Sequence, residues 1–426
     1  MTLRLLHFAD LHLGVETHGQ FRPELGYSSR VQDFLNAFDQ VIETAITERV
    51  DAVLFAGDAF KNAEPSPTLQ RHFAARIQRL LAAAIPTVLL VGNHDRPRSP
   101  SRSTPMDIYA ALQLPGIIVA SRPDFLRVQT RHGPLQIVAL PWMPMRQLLA
   151  DDELRALPEH EFERRFREII SANVQALLTA LDPAHPAVFL AHLTMEGGRF
   201  GSERNVLLGN DPLFALDELG LDRAPIDYVA LGHLHSHQVI HRQPPVIYAG
   251  SIERIDFGEE REEKGFIIVS IEPGTHPRQV TWEFRPLRTR AMCTVRFEVT
   301  SENPMEQIRS VLERRANELR DAIVRLFVVA SPERATAIRT NEIRRWLLEL
   351  GATYVAGVVV ETERSIRPRV DVTRETRNDP VALLERWVRL RQLSDEFANA
   401  VLSRGREIIE RVEASDFLKE KAADQR

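Results

Sequence analysis

The 426-residue sequence predicts an α/β protein with two β-sheets, each covered by helices, followed by a small α+β domain and a C-terminal helical pair. Two observations predict the first part. Short apolar runs of strand length alternate with segments whose apolar residues recur at helical spacing. In addition, five of the runs deliver aspartate, asparagine or histidine at the same end. Leu3–Phe8 runs into Asp10-Leu11-His12, and Ala52–Ala56 into Gly57-Asp58. Thr87–Val91 runs into Gly92-Asn93-His94-Asp95, Ala187–Ala191 into His192, and Tyr228–Leu231 into Gly232-His233-Leu234-His235. Ligands of α/β sheets bind beyond the carboxyl ends of strands, and core packing gives no reason to repeat polar residues there.

In chain order, Leu3–Phe8 is the first buried strand. After a polar loop, Val31, Phe34, Leu35, Phe38, Val41, Ile42, Ala45 and Ile46 repeat at helical spacing and return the chain to the strand before Asp58. A helix over 68–84 leads to the strand before Asn93, giving βαβαβ and hence parallel strands with right-handed crossovers. Residues 117–141 read as short strands with hairpin punctuation, and 159–181 as a long helix. A glycine-rich loop, 196–209, follows His192. Strands at about 237–241, 246–249, 266–272 and 279–284 predict a second half more antiparallel than the first. Beyond Pro286, strands at 291–299, 322–330 and 353–361 with helices at 303–318 and 333–350 predict a separate α+β domain over 287–362. Residues 363–379 are polar and arginine-rich and read as a linker. Asn378-Asp379-Pro380 is a helix start, with helices expected over 380–402 and 404–421.

A chain of this length buries a sizeable core, and 44% hydrophobic with 27% charged residues is ordinary globular composition. A formal net charge of -5 excludes nucleic-acid coating by bulk charge but permits a local basic groove. Only four of the 54 basic side chains are lysines, at 61, 264, 419 and 421, a bias that reads as genome composition. Cys293 is the only cysteine, so no intrachain disulfide forms and a reducing compartment fits. With no signal-peptide pattern and no apolar run near the ~20 residues of a membrane span, a cytoplasmic protein is expected.

Two divalent metals can clamp a phosphate and activate a water between them. Such a site needs oxygen and nitrogen donors, a shared carboxylate and some neutral ligands. Asp10, His12, Asp58, Asn93, His192, His233 and His235 are the candidates. Mixed carboxylate and imidazole donors without thiolate suit manganese, iron or zinc.

The order D-x-H, G-D, G-N-H-D, H, G-H-x-H resembles the calcineurin-like metallophosphoesterase family over residues 3 to about 250. Leu6–Gly14, His192-Leu193-Thr194, Tyr248–Arg254, Phe257-Gly258-Glu259-Glu260 and Lys264-Gly265-Phe266 refine the likeness toward the nuclease subunits of bacterial DNA-repair complexes. The resemblance implies a four-layer α/β/β/α sandwich over 1–286, with 287–362 as its capping domain. It implies that Asp10, His12, Asp58 and His235 hold one metal, and Asp58, Asn93, His192 and His233 the other. It also implies manganese, and a catalytic His94 beside the leaving oxygen, oriented by Asp95. Lys61 stands where some relatives carry a second histidine after the shared aspartate, which bears on the balance of exo- and endonuclease activity.

Three features favour DNA over a small substrate. About 140 residues follow the catalytic part, and Arg96, Arg98, Arg102, Arg199 and Arg204 lie just past the metal motifs. The segment 380–426 carries an apolar stripe, which by resemblance docks on a coiled-coil ATPase partner. The resemblance further implies a homodimer within a heterotetramer, joined through the helix at 31–48 or the loops at 60–70 and 105–112. The alternatives are a stand-alone phosphoesterase on nucleotides or phosphoproteins, and a non-catalytic scaffold binding DNA ends.

Overall fold

The computed structural model describes residues 1–97, 99, 102–145, 157–201, 211–362, 380–390 and 398–409. The chain divides into two compact units, Met1–Val328 with Ala337–Val360, and Val329–Thr336 with Glu361–Arg426.

The larger unit opens with β1 (Leu3–Phe8), α1 (Ser29–Thr47), β2 (Ala52–Phe55), α2 (Pro67–Ala82), β3 (Thr87–Leu90), α3 (Asp107–Leu112) and β4 (Ile117–Ala120). It continues through β5 (Asp124–Thr130), β6 (Gly133–Leu140), α4 (Glu159–Leu178), β7 (Ala187–His192), β8 (Tyr228–Gly232), β9 (Gln238–Arg242), β10 (Pro245–Tyr248), β11 (Gly265–Ile271) and β12 (Val280–Pro286). These strands form two six-stranded sheets, ordered β12-β11-β1-β2-β3-β4 and β9-β10-β8-β7-β6-β5.

Each sheet has a parallel core with antiparallel strands added at its edges. In the first, β1, β2, β3 and β4 are parallel while β11 and β12 are antiparallel. In the second, β6, β7, β8 and β10 are parallel and the edge strands β5 and β9 are antiparallel. As expected, the strands late in the chain bring most of the antiparallel pairing, through β9, β11 and β12. Strands β11 and β12 come late in the chain yet complete the first sheet.

Alternation along each strand builds three hydrophobic layers. From β1, Leu6 and Phe8 join Phe34, Phe38, Val41 and Phe73 of α1 and α2 on the outer face of the first sheet. Leu3 and Leu5 point the other way and meet Ile137, Val188, Tyr228 and Ile247 between the sheets. On the far face of the second sheet, Val138, Phe189 and Val229 pack on Phe166, Ile170 and Val174 of α4. This is the α/β/β/α order, and each fully buried Leu or Phe contributes ~1.5–3 kcal/mol. Ser28 and Ser66 start α1 and α2 by accepting the N–H groups of Arg30 and Leu69.

A third sheet, β13 (Met292–Val299), β14 (Ile323–Ala330) and β15 (Tyr354–Thr362), stands in that order. Within the larger unit, α5 (Pro304–Arg314) and α6 (Thr340–Glu349) accompany it. The predicted helix over 303–318 is interrupted at Arg315 and resumes as one turn, Ala316–Leu319. The one over 333–350 is likewise two pieces, Pro332–Ala335 and α6. The first ends where the Thr336 hydroxyl bonds the Glu333 carbonyl at 2.7 Å.

In the smaller unit, α7 (Pro380–Leu390) and a helix over 398–409, α8, are described. The expected break at Ser403 is absent, because α8 runs through it. A Cβ at Gly405 would lie 2.2 Å from Leu384 Cδ2, so glycine lets α7 and α8 approach closely. The expected linker 363–379 and the stretch 410–426 lie outside the described residues.

Candidate metal centre

All seven expected ligands meet where the carboxyl ends of the two sheets come together. Asp10, His12, Asp58 and Asn93 follow β1, β2 and β3. His192 ends β7, and His233 and His235 follow β8, with Gly232 in register with His192. The chain leaves the strands abruptly. Asp10, His12, Asp58 and His233 have φ of 52°, 45°, 61° and 101°, left-handed conformations that cost a non-glycine residue ~1–3 kcal/mol each. Backbone bonds hold the turns: Asp10 N–H to Gly57 O and His12 N–H to Asp58 O, both 3.0 Å. Two glycines are dictated by closeness. A Cβ on Gly92 would lie 2.1 Å from Asp58 Oδ1, and one on Gly57 (φ +98°) 2.4 Å from His192 Nδ1.

The donor atoms converge. Asp58 Oδ2 lies 3.6 Å from His12 Nε2 and 3.5 Å from His192 Nε2, so one carboxylate oxygen stands between two clusters. On one side, His12 Nε2 and His235 Nε2 are 3.1 Å apart. On the other, Asn93 Oδ1 lies 2.9 Å from His192 Nε2 and 3.2 Å from His233 Nδ1. Three trios have donors within 4.8 Å of one another: Asp10-His12-His235, His12-Asp58-His94 and Asp10-Asp58-His192.

The outer ring nitrogens fix which lone pairs face inward. His192 Nδ1 donates to the Ala56 carbonyl at 2.7 Å, and His235 Nδ1 to Glu259 Oε1 at 2.8 Å. In its neutral form each ring therefore turns the Nε2 lone pair toward the cluster. Two imidazole nitrogens aimed at each other 3.1 Å apart suit a shared cation, since donors ~2.0–2.1 Å from one ion lie roughly 3 Å apart. The residues present fit two divalent cations of the borderline class.

The cluster's electrostatics agree. Burial opposes charge on both Asp58 and His192, yet their mutual attraction prevails: Asp58 is held well below the carboxylate range and His192 raised to about 9. Burial lifts Asp10 to about 7, and it lowers His12 and His233. Without metal, protons do the work that cations would do.

His94 stands at the rim, its ring edge-on to His12 with centroids 4.8 Å apart. Its backbone N–H bonds Asp58 Oδ1 at 2.9 Å, and its ring Nδ1 donates to the Lys61 carbonyl at 2.9 Å, so the lone pair of the neutral ring is on Nε2. The expectation that Asp95 orients His94 is corrected. The Asp95 carboxylate is fully buried and accepts the backbone N–H groups of Asp58, Ala59, Phe60 and Gly92 at 3.0–3.2 Å. It clamps the G-D turn to the G-N-H-D turn.

Of the three described arginines expected to face phosphate, two have other partners. Arg96 is largely buried and donates to Ser121 O, and Arg102 pairs with Glu64. Arg199 is exposed, while Arg98 and Arg204 lie outside the described residues. Four contributors were not anticipated. Asp211 Oδ2 lies 3.4 Å from His233 Nε2, and Trp142 lies against His233 with centroids 5.0 Å apart. Glu259 and Lys264 stand behind His235. The last two fell inside motifs quoted for the family likeness. Asp211 and Trp142 carry no sequence signal.

No helix among the described residues is long and apolar enough to cross a membrane. Residues 3–237 match the family model described as Calcineurin-like phosphoesterase. The D component of the nuclease SbcCD from Bacillus subtilis is 28% identical over 289 residues, 66% of this chain and 68% of that protein. Its namesake in Rhodobacter capsulatus is 28% identical over 334 residues, 74% and 76% of the two chains. "DNA double-strand break repair protein Mre11" of Methanosarcina mazei is 26% identical over 355 residues, 83% of this chain but 49% of that protein. With more than half its length matched by that model, this chain belongs to the calcineurin-like phosphoesterase family.

Proposed function

We propose that this protein is a manganese-dependent DNA nuclease, cutting phosphodiesters at ends and hairpins as exo- and endonuclease, in partnership with an SbcC-like coiled-coil ATPase. The observation that carries the chemistry is the position of Asp58 Oδ2 between His12 and His192. The choice of DNA is supported by relatives named as nuclease and double-strand-break repair proteins. In this reading, 1–286 is the nuclease domain, 287–362 caps it, 363–379 is a linker and 380–426 binds the ATPase. The active form is a cytoplasmic homodimer within a heterotetramer.

Asp10, His12, Asp58 and His235 would hold one divalent ion, and Asp58, Asn93, His192 and His233 the second. Such a pair, when bound, clamps the phosphate and lowers the pKa of a water. The chain's own residues do the rest. By donating Nδ1 to the Ala56 carbonyl and to Glu259, His192 and His235 reserve their inner nitrogens for the cations, His192 once it has given up its proton. Asp95 holds the Asp58 turn in register with the His94 turn. His94, fixed through Nδ1 to the Lys61 carbonyl, would present Nε2 to the departing oxygen and, as imidazolium, pass its Nε2 proton to that oxygen as the bond breaks, keeping the Nδ1 proton.

The test is cleavage of end-labelled linear duplex by wild type and His94→Ala with manganese, beside a small chromogenic phosphodiester. DNA degradation that falls ~10²–10⁴-fold in the variant supports the proposal. Turnover of the ester with DNA untouched, even with an ATPase partner supplied, refutes it in favour of a small-substrate phosphoesterase.

A further inference from the structure

Nearly every basic residue of this chain is an arginine, yet Lys264 is a lysine whose side chain has no exposed surface. Its ammonium has three acceptors: Glu259 Oε2 at 2.9 Å, Glu262 Oε2 at 2.7 Å and the His235 carbonyl at 3.0 Å. Three donors on a compact tetrahedral head match that set. A planar guanidinium with five donors does not. The Glu259 carboxylate is equally enclosed. Oε1 accepts His235 Nδ1 at 2.8 Å, while Oε2 also accepts the Ile255 N–H at 2.9 Å. The pair thus grips His235 twice, by its ring through Glu259 and by its backbone through Lys264.

We infer that Glu259 and Lys264 form a positioning pair for His235, holding its Nε2 toward the ion shared with Asp10 and His12. The charge balance fits that task. A carboxylate behind His235 sharpens its ring as a donor. Lys264 offsets the charge of that buried carboxylate, which lies behind a ligand of the cluster that already holds Asp10 and Asp58. This inference rests on the two-metal reading above and assigns work to residues outside the ligand set.

The test uses the metal-stripped full-length protein titrated with Mn2+ alone, counting bound ions and recording electron paramagnetic resonance. Glu259→Leu/Lys264→Met exchanges the buried pair for apolar side chains of similar size, a swap that is often neutral for stability, and strips His235 Nδ1 of its acceptor. One of two ions should then bind about ten- to a hundred-fold more weakly, and the exchange-coupled spectrum of a metal pair should give way to that of an isolated ion. Glu259→Gln/Lys264→Met, which restores an acceptor oxygen without charge, should recover most of that affinity. A purely structural pair would show no such rescue. Should the first variant fail to fold, ¹⁵N NMR of the metal-free wild type decides: a proton on His235 Nδ1 supports the inference, and a ring protonated on Nε2 alone overturns it. Two tight ions in both double variants would also overturn it while leaving the two-metal reading intact. A wild type binding fewer than two ions would overturn that reading, and the positioning role with it.

Discussion

His7 offers a quantitative test of how the two sheets are joined. It lies between them, fully buried, with Nδ1 2.9 Å from the Tyr228 hydroxyl and Nε2 3.1 Å from the Leu231 carbonyl. The carbonyl can only accept, so Nε2 carries the proton and Nδ1 accepts from Tyr228. Burial, reinforced by the charge His237 can carry, pushes His7 down from 6.5 to about 3, although the Leu231 bond works the other way. The unfolded chain therefore takes up a proton at this residue below pH 6.5, whereas the folded chain resists until about pH 3. The contribution to stability is complete above pH 6.5 and is lost as pH falls through that window. The slope approaches ~1.4 kcal/mol per pH unit, toward a ceiling on the order of 5 kcal/mol. His7→Gln keeps a donor for Leu231 and an acceptor for Tyr228 but cannot titrate. Urea unfolding of both proteins at pH 7, 6, 5 and 4.5 isolates His7, because every other titration is common to the two. Wild type should lose about 1 kcal/mol per pH unit more than the variant below pH 6. Parallel curves would show that the ring accepts a proton inside the fold and that His7 does not bridge the sheets through a neutral ring.

Asp95→Asn should destabilise the protein by about 1–3 kcal/mol, because at least one of the four clamped N–H groups loses its acceptor; an unchanged thermal midpoint would refute the clamp. Gly92→Ala drives a methyl into Asp58 Oδ1, so it should cost ~1–3 kcal/mol of stability and abolish tight binding of the metal pair, read by ion counting. In the metal-free protein His192 is raised to about 9, so its stabilisation is complete below pH 6.5 and fades as pH rises through 9. Metal must displace that proton. Apparent Mn2+ affinity should accordingly rise about tenfold per pH unit between 7 and 8.5, and titrations that release no proton would contradict the assignment.

The sheet layers and the convergence of donors were legible because both follow local rules. The alternation of Leu3 and Leu5 against Leu6 and Phe8 fixes which face of β1 meets which core, and a polar residue after an apolar run marks a strand end wherever the strand goes. What could not be read depends on partners distant in the chain. Asp95 adjoins His94, yet its carboxylate turns to the backbone of residues 58–60, more than thirty positions away. Arg96 follows the catalytic turn but is spent on Ser121. The place of β11 and β12 in the first sheet follows from pairing with β1 across some 260 residues, invisible to periodicity. Helix breaks at Arg315 and after Ala335 were missed because helical spacing of apolar residues survives a short interruption.

The pairing of β1 with β11 has a bearing on how the protein is born. During synthesis, Leu3–His7 find their antiparallel neighbour only when 267–271 have followed them. Of the donors at the site, those up to Asn93 come from the first sheet and those from His192 onward from the second. A nascent chain that ends before His192 thus carries four of the seven expected donors and an open edge at β1. Pairing across such separations is slow, since loop closure must precede any gain. The metal centre is accordingly incomplete until the second sheet is in place, and a product truncated before His192 lacks three of its seven expected donors.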